Sequence, residues 1–308
     1  MQKTKIVIVG LGGVGGYFGG FLAKKYANHP EIEICFLARG EHLNKVQENG
    51  LTLITENETF QIFPALATDD VTKIGTADYI IMSPKSYDLD STVEQIIPMI
   101  GTNTVILPLL NGIDNSERIR NLLPETEVWD GCCYIMAKIL EPGVVENTGN
   151  IHRIVFGYKN QRNERLLTFE KLLIDADIEA RFYDNILTEI WKKFFFISTS
   201  ASLTSYFNVS YGEILTNPVR RQTLIDISTE LIQVANAEGI AIENSEIDKL
   251  IHQFEKLPMG TTTSMHRDFL AGKNTEVDTL TGIVLKLGKK HGIATPTYQK
   301  VYTKLLGE

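Results

Sequence analysis

The segment Lys5-Ile6-Val7-Ile8-Val9-Gly10-Leu11-Gly12-Gly13-Val14-Gly15 restricts the fold of this chain more than any other. A β-branched apolar strand runs straight into glycines spaced G-x-G-x-x-G, and Tyr17 to Tyr26 continues with a helical pattern. A strand that enters a helix through such a loop is a dinucleotide-binding signature. Gly10 permits the tight turn, Gly12 lets a pyrophosphate approach the backbone, and Gly15 lets the helix pack on the strand. Gly10, Leu11, Gly12, Gly13, Val14 and Gly15 are thus the candidate phosphate cradle. Glycines also punctuate ordinary turns, so the weight of the motif comes from its setting. The strand before it, the helix after it and a second strand over Ile32 to Arg39 supply that setting.

A chain of 308 residues exceeds what one core usually serves, so two domains are expected. Hydrophobic residues make up 43% and charged residues 22%, as in an ordinary soluble globular protein. The net charge of −8 and the absence of a Lys/Arg cluster argue against nucleic acid or an anionic membrane as partner. No run reaches the roughly 18 apolar residues of a membrane span, and the apolar start reads as a first strand, not a signal peptide. Cys35, Cys132 and Cys133 form an odd set without metal-ligand spacing, which suits a reducing cytoplasm and implies no metal.

Strand-like and helix-like segments alternate through the first half, with further short buried strands at Tyr79 to Met82 and Thr104 to Leu107. Amphipathic stretches such as Ser91 to Ile97 lie between them. This rhythm predicts a doubly wound, mostly parallel sheet with helices on both faces. Gly131 to Lys138 and Gly143 to Gly157 read as strands closing the domain, joined by a turn at Glu141-Pro142-Gly143. From Leu187 onward helical patterns take over, broken at Asn208 to Gly212, Asn217-Pro218, Gly239 and Leu257 to Gly260. We therefore expect a Rossmann-type domain over 1–184 and an all-helical domain over 185–308, with a ligand cleft between them.

The second strand ends in Arg39, where an NAD-preferring domain usually carries an acid. A guanidinium there pairs with the 2′-phosphate of NADP and stacks on adenine. The alternative is a solvated Arg39, with Glu41 holding the ribose of NAD. Lys85 and Asn111 each follow a buried strand, where doubly wound sheets place ligand contacts. In Trp191-Lys192-Lys193 two lysines stand at the head of an apolar helix, and steps of about 100° separate their faces. One can enter the cleft while the other is solvated. A lysine beside a carbonyl oxygen can protonate the alkoxide that hydride attack creates. Glu276 shares a helical row with Leu280 and Ile283, as a buried acid or as a first-turn acid favoured by the helix dipole. His266 is a weaker candidate acid, without an evident partner.

Taken together, these segments resemble the ketopantoate reductase (2-dehydropantoate 2-reductase) family over nearly the whole chain. The matching residues are Gly10 to Gly15, Arg39, Lys85, Asn111-Gly112, Trp191-Lys192-Lys193, Ser264-Met265 with Asp268, Thr275 to Asp278 with Gly282, and His291 to Pro296. The resemblance implies a C-terminal architecture like that of 6-phosphogluconate dehydrogenase. It also implies NADPH-dependent reduction of a 2-oxo acid to a 2-hydroxy acid on the pantothenate route to coenzyme A. Lys193 then corresponds to the general acid and Glu276 to the acid that orients substrate and cofactor. Ser264 corresponds to the substrate-carboxylate contact, and Arg39, Lys85 and Asn111 to cofactor-side positions, the last two near the nicotinamide and the substrate.

The chain departs from the family where asparagines usually bind substrate. Ile197, Ala201 and Tyr211 stand at three such positions and Thr261 at a fourth, with Ser198, Thr199, Ser200 or Asn208 as candidate replacements. A site lacking those amides should discriminate poorly for ketopantoate. Two further readings follow: reduction of another 2-oxo acid with a more apolar tail, or a non-catalytic NADP sensor. Lys193 and Glu276 weigh against the sensor. An apolar helical face would suit a homodimer.

Overall fold

The computed structural model describes residues 3–307. Two compact units make up the chain: Met1–Leu110 with Asp114–Ile186, and Asn111–Ile113 with Leu187–Glu308. The first unit runs β1 (Thr4–Val9), α1 (Gly13–Lys25), β2 (Ile32–Leu37), α2 (Gly40–Asn49), β3 (Leu51–Ile54), β4 (Thr59–Ile62), β5 (Leu66–Thr68) and β6 (Ala77–Met82). It continues with α3 (Leu89–Ile96), β7 (Ile100–Pro108), α4 (Asn115–Leu122), β8 (Glu127–Val128), β9 (Asp130–Glu141), β10 (Val144–Gly157), α5 (Glu164–Asp175) and β11 (Glu179–Phe182).

Six strands form a wholly parallel sheet in the order β5-β2-β1-β6-β7-β8. Its central strands are apolar without alternation because both faces are covered, as a parallel sheet requires. Val7, Val9, Ile80, Met82 and Ile106 pack on one side with Leu89 and Val93 of α3 and Ile119 of α4. Ile6, Ile8, Ile34, Phe36, Ile81 and Leu107 face the other way, toward Tyr17, Phe18 and Leu22 of α1 and Phe169 of α5.

Helices cover both faces as expected, and the second side carries a further layer beyond its helices. A five-stranded sheet in the order β11-β10-β3-β4, with β9 paired to β10, adds Leu51, Leu53, Ile62, Val145 and Ile154 to the same core. Helix α1 lies between the two sheets, and its glycines make this possible. A Cβ on Gly15 or Gly19 would strike Gly10 and Ser83, or Ile8 and Phe36, on the parallel-sheet side. A Cβ on Gly13 or Gly16 would strike Ala137 of β9 or Val145 of β10 on the other.

The second unit contains α6 (Ile186–Phe207), α7 (Tyr211–Thr216), α8 (Pro218–Ala237), α9 (Ser245–Lys256), α10 (Ser264–Leu270), α11 (Ile283–His291) and α12 (Pro296–Leu305). A π-helical turn, Asp278–Gly282, leads directly into α11. Among the described residues from Leu187 onward no strand occurs. The breaks are local chemistry: Asn217 caps α8 through Val219 N and Arg220 N with Pro218 at its first position, and Gly239 turns at φ 82°. Phe194, Leu203, Leu231, Phe254, Leu280 and Tyr298 form the core. The Glu230 carboxylate reaches from α8 to accept from Thr297 N and Tyr298 N at the start of α12. No helix among the described residues is long and apolar enough to cross a membrane.

His266 belongs to this packing. Its Nε2–H donates to Asn208 Oδ1 at 2.7 Å, while Nδ1 accepts from the Thr262 hydroxyl at 2.5 Å. Both nitrogens are thereby used in a neutral ring that is 5% exposed, so His266 is a structural histidine. Burial holds its pKa below the usual imidazole value, with the neighbouring Arg267 charge acting in the same direction.

Two stability predictions follow. Gly13→Ala would place Cβ 2.3 Å from the Ala137 carbonyl oxygen, so denaturant titration should show a loss of about 1–3 kcal/mol. Gly12→Ala, whose Cβ meets nothing within 4 Å, should stay within about 0.5 kcal/mol of the parent. For His266 the folded state favours the neutral ring, so its contribution is complete above about pH 6.5. It declines as the pH falls below that, because the unfolded chain takes up a proton first. The stability lost between pH 7.5 and 5.5 should shrink in His266→Gln.

Candidate active site

In the first unit the glycine loop is shaped from both ends. Gly10 adopts φ +88°, with Ser83 and Pro84 backbone where a side chain would project. Ser83 N donates to Val9 O, and Ser83 Oγ donates to Gly10 O at 2.8 Å, tying the end of β6 to the loop. Gly12 caps α1 without a side-chain acceptor, and the first turn holds no acid. The leading N–H groups of α1 are therefore not taken up by a side-chain cap, and the space beside Gly12 is open to within 4 Å. Such a helix end fits a pyrophosphate. Leu11 is buried, and Val14 packs against the core, so these two side chains brace the loop.

Arg39 is the N-cap residue of α2, immediately beyond β2, and Glu41 lies in the first turn of that helix. The Arg39 side chain is 84% exposed, and its Nη2 bonds Asp88 Oδ2 at 2.8 Å. Asp88 follows β6 in a short 3-10 turn, Ser86–Asp88, which Lys85 caps. The Lys85 carbonyl accepts from Asp88 N at 2.9 Å, so Lys85 and the partner of Arg39 are fixed by one turn.

In the second unit, Lys192 and Lys193 part as the helical step requires. Lys192 is exposed and pairs with Glu189 at 3.1 Å. Lys193 is half-buried, and its Nζ donates to Asn111 Oδ1 at 3.1 Å. Sequence reading placed both lysines at the head of the helix, but α6 begins at Ile186, so they occupy its second turn. Trp191, Phe194 and Phe195 are buried and anchor that turn.

Glu276 is 4% exposed. It precedes the π turn instead of occupying the first turn of an α-helix, and its carbonyl accepts from Leu280 N at 2.9 Å. Neighbouring helices hold this turn. Ser198 Oγ donates to Leu280 O at 2.6 Å and bonds Tyr298 Oη at 2.8 Å, Ser202 and Thr281 share a hydroxyl bond of 2.8 Å, and Tyr302 Oη donates to Asp278 Oδ1 at 2.5 Å. A π turn leaves carbonyls off the regular ladder, and Ser198 satisfies one of them.

Ser264 opens α10, whose cap is Thr263; Thr263 Oγ1 accepts from His266 N and meets Thr204 Oγ1 at 2.9 Å. The four replacement candidates are already committed or buried. Ser198, Thr199 and Ser200 are buried, with the Ser198 hydroxyl used on the π turn and Ser200 Oγ on Ile197 O, and Asn208 holds His266. Tyr211 is core, packed at tilted angles against Phe196 and Phe254, and burial raises its phenol to about 12. Ala201 is buried as well, whereas Ile197 remains partly exposed one turn beyond Lys193.

Sequence reading missed Asp88, Ser202 and the support that Ser198 gives to the π turn. The only available signals were an acid three residues after Lys85 and hydroxyls spaced i, i+4 in an apolar helix. Among the described residues no cluster of His, Cys, Asp and Glu is arranged for a metal ion.

Comparison with known proteins agrees with this architecture. The family described as ketopantoate reductase PanE/ApbA matches residues 6–161, and its C-terminal counterpart matches residues 185–307. The uncharacterized oxidoreductase YkpB of Bacillus subtilis (strain 168) is 30% identical over 98% of this chain and 97% of its own. The crystal structure of 2-dehydropantoate 2-reductase from Porphyromonas gingivalis W83 is 33% identical with a TM-score of 0.87, covering 99% of this chain and 100% of that one. D-mandelate dehydrogenase, solved with NADH and anilino(oxo)acetate, shares the fold at 24% identity and a TM-score of 0.87, covering 98% of this chain and 97% of its own. A parallel α/β unit and a helical unit, each matched along most of its length, make this chain a member of the ketopantoate reductase family and an oxidoreductase.

Proposed function

We propose that the protein reduces 2-dehydropantoate to pantoate with NADPH, in pantothenate and coenzyme A biosynthesis. The observation that carries this reading is the bond from Lys193 to Asn111. A neutral amide holds the ammonium without cancelling its charge, unlike the carboxylate that pairs with Lys192. Lys193 can then orient toward a 2-oxo group, attract its oxygen and give up a proton as the alkoxide forms. Glu276, buried at the entry of a braced π turn, orients the substrate, and Ser264 binds its carboxylate. In the first unit the loop from Gly10 to Gly15 receives the pyrophosphate, Arg39 the 2′-phosphate and Lys85 the nicotinamide side; Asn111, of the second unit, serves as a further cofactor and substrate contact. The bound nicotinamide supplies the hydride.

A second reading keeps this chemistry for a 2-oxo acid with a more apolar tail. Ile197 favours it: the residue lies about 40° around α6 from Lys193, one turn on, and presents hydrocarbon instead of an amide.

NADPH oxidation followed at 340 nm should proceed with ketopantoate, and Lys193→Ala should lower kcat by about 10²–10⁴ while NADPH affinity stays near the parent value. Unchanged turnover would remove Lys193 from the role of acid. Ile197→Asn separates the two readings. Under the first it changes ketopantoate turnover little. Under the second, kcat/KM for ketopantoate rises while that for straight-chain 2-oxo acids falls.

A further inference from the structure

We propose that Asp88 is a specificity-determining residue that weakens the preference for NADPH over NADH by competing for the Arg39 guanidinium. The proposal rests on the reading of Arg39 as the 2′-phosphate contact. The two side chains meet at 2.8 Å, but they are not equally free to move. Asp88 N donates to Lys85 O, and Asp88 O accepts from Ser91 Oγ at 3.1 Å and Thr92 Oγ1 at 2.7 Å. Arg118 ties the same segment from its other side, donating to Ser86 O at 3.4 Å and Asp90 Oδ1 at 2.7 Å. The carboxylate is thus presented by an anchored turn, whereas Arg39 projects as a long, largely solvated side chain.

A 2′-phosphate carries about two negative charges at neutral pH. To reach Arg39 it must either draw the guanidinium from Asp88 or share it and lie close to the Asp88 carboxylate. Both routes cost affinity, the first through the lost ion pair and the second through like-charge repulsion. The uncharged ribose hydroxyl of NADH meets no such repulsion. An acid at this position therefore acts against the phosphorylated cofactor that the neighbouring arginine attracts.

The test is titration of NADPH and NADH into the purified full chain, comparing the parent with Asp88→Asn and Arg39→Ala. Asp88→Asn should raise the NADPH-to-NADH affinity ratio about three- to fivefold, the scale of one exposed ion pair, and should do so through tighter NADPH binding. An unchanged ratio, weaker NADPH binding, or a ratio that rises only because NADH binds less well would overturn the proposal; the last result would make Asp88 a ribose contact. Arg39→Ala distinguishes the underlying reading, since it should lower the same ratio about tenfold or more. If it does not, the reading of Arg39 fails. If it does while Asp88→Asn changes nothing, only the role of Asp88 fails.

Discussion

The structure of the first unit depends on the approach of one helix backbone to two sheets. Helix α1 has glycine wherever a side chain would hold the layers apart: Gly15 and Gly19 on the parallel-sheet side, Gly13 and Gly16 on the other. Glycine within a helix costs about 0.5–1 kcal/mol relative to alanine. That cost is offset by a continuous core in which Ile8, Phe18, Leu53, Val145 and Phe156 are all fully buried. The same closeness fixes the start of α1 against Gly10 and Ser83, so packing and the Ser83 hydrogen bonds together set the N–H groups that would meet a pyrophosphate.

What could be read from the sequence was local in origin. The strand, glycine loop and helix at residues 5–26 announce themselves because each residue acts on its own neighbours. The parallel sheet follows from repeated short apolar runs, and the β9–β10 hairpin from Pro142-Gly143. Beyond that hairpin the second sheet was not legible. Its strands β3, β4 and β11 have four residues each, and β3 finds its partner in β10, about ninety residues further along the chain. The site shows the same divide. The separation of Lys192 from Lys193 follows from helix geometry, but the Asn111 partner lies 82 positions away. Asp88 lies 49 positions from Arg39. The π turn after Glu276 carries no distinguishing composition, so a regular helix was the natural expectation.

Helix α6 gathers the chemistry of the second unit on separate faces. One row carries Lys193 and Ile197, and another carries Ser198 and Ser202, which reach the π turn that follows Glu276. Buried hydroxyls in an otherwise apolar helix are thereby accounted for: they satisfy a backbone that departs from regular α geometry. A shift of α6 along its axis would move the lysine and disturb the glutamate's support together.

Asn111–Ile113 groups with the helical unit although chain of the first unit lies on either side of it. The two units therefore cannot be parted by a single cut. A fragment beginning at Leu187 would contain Lys193 without its amide acceptor, and the excised first unit would keep an asparagine with no ammonium to receive. Modularity in this protein is a property of the packing and not of the gene. Exchanging the helical half with that of a relative would have to carry along a tripeptide from the middle of the nucleotide-binding half.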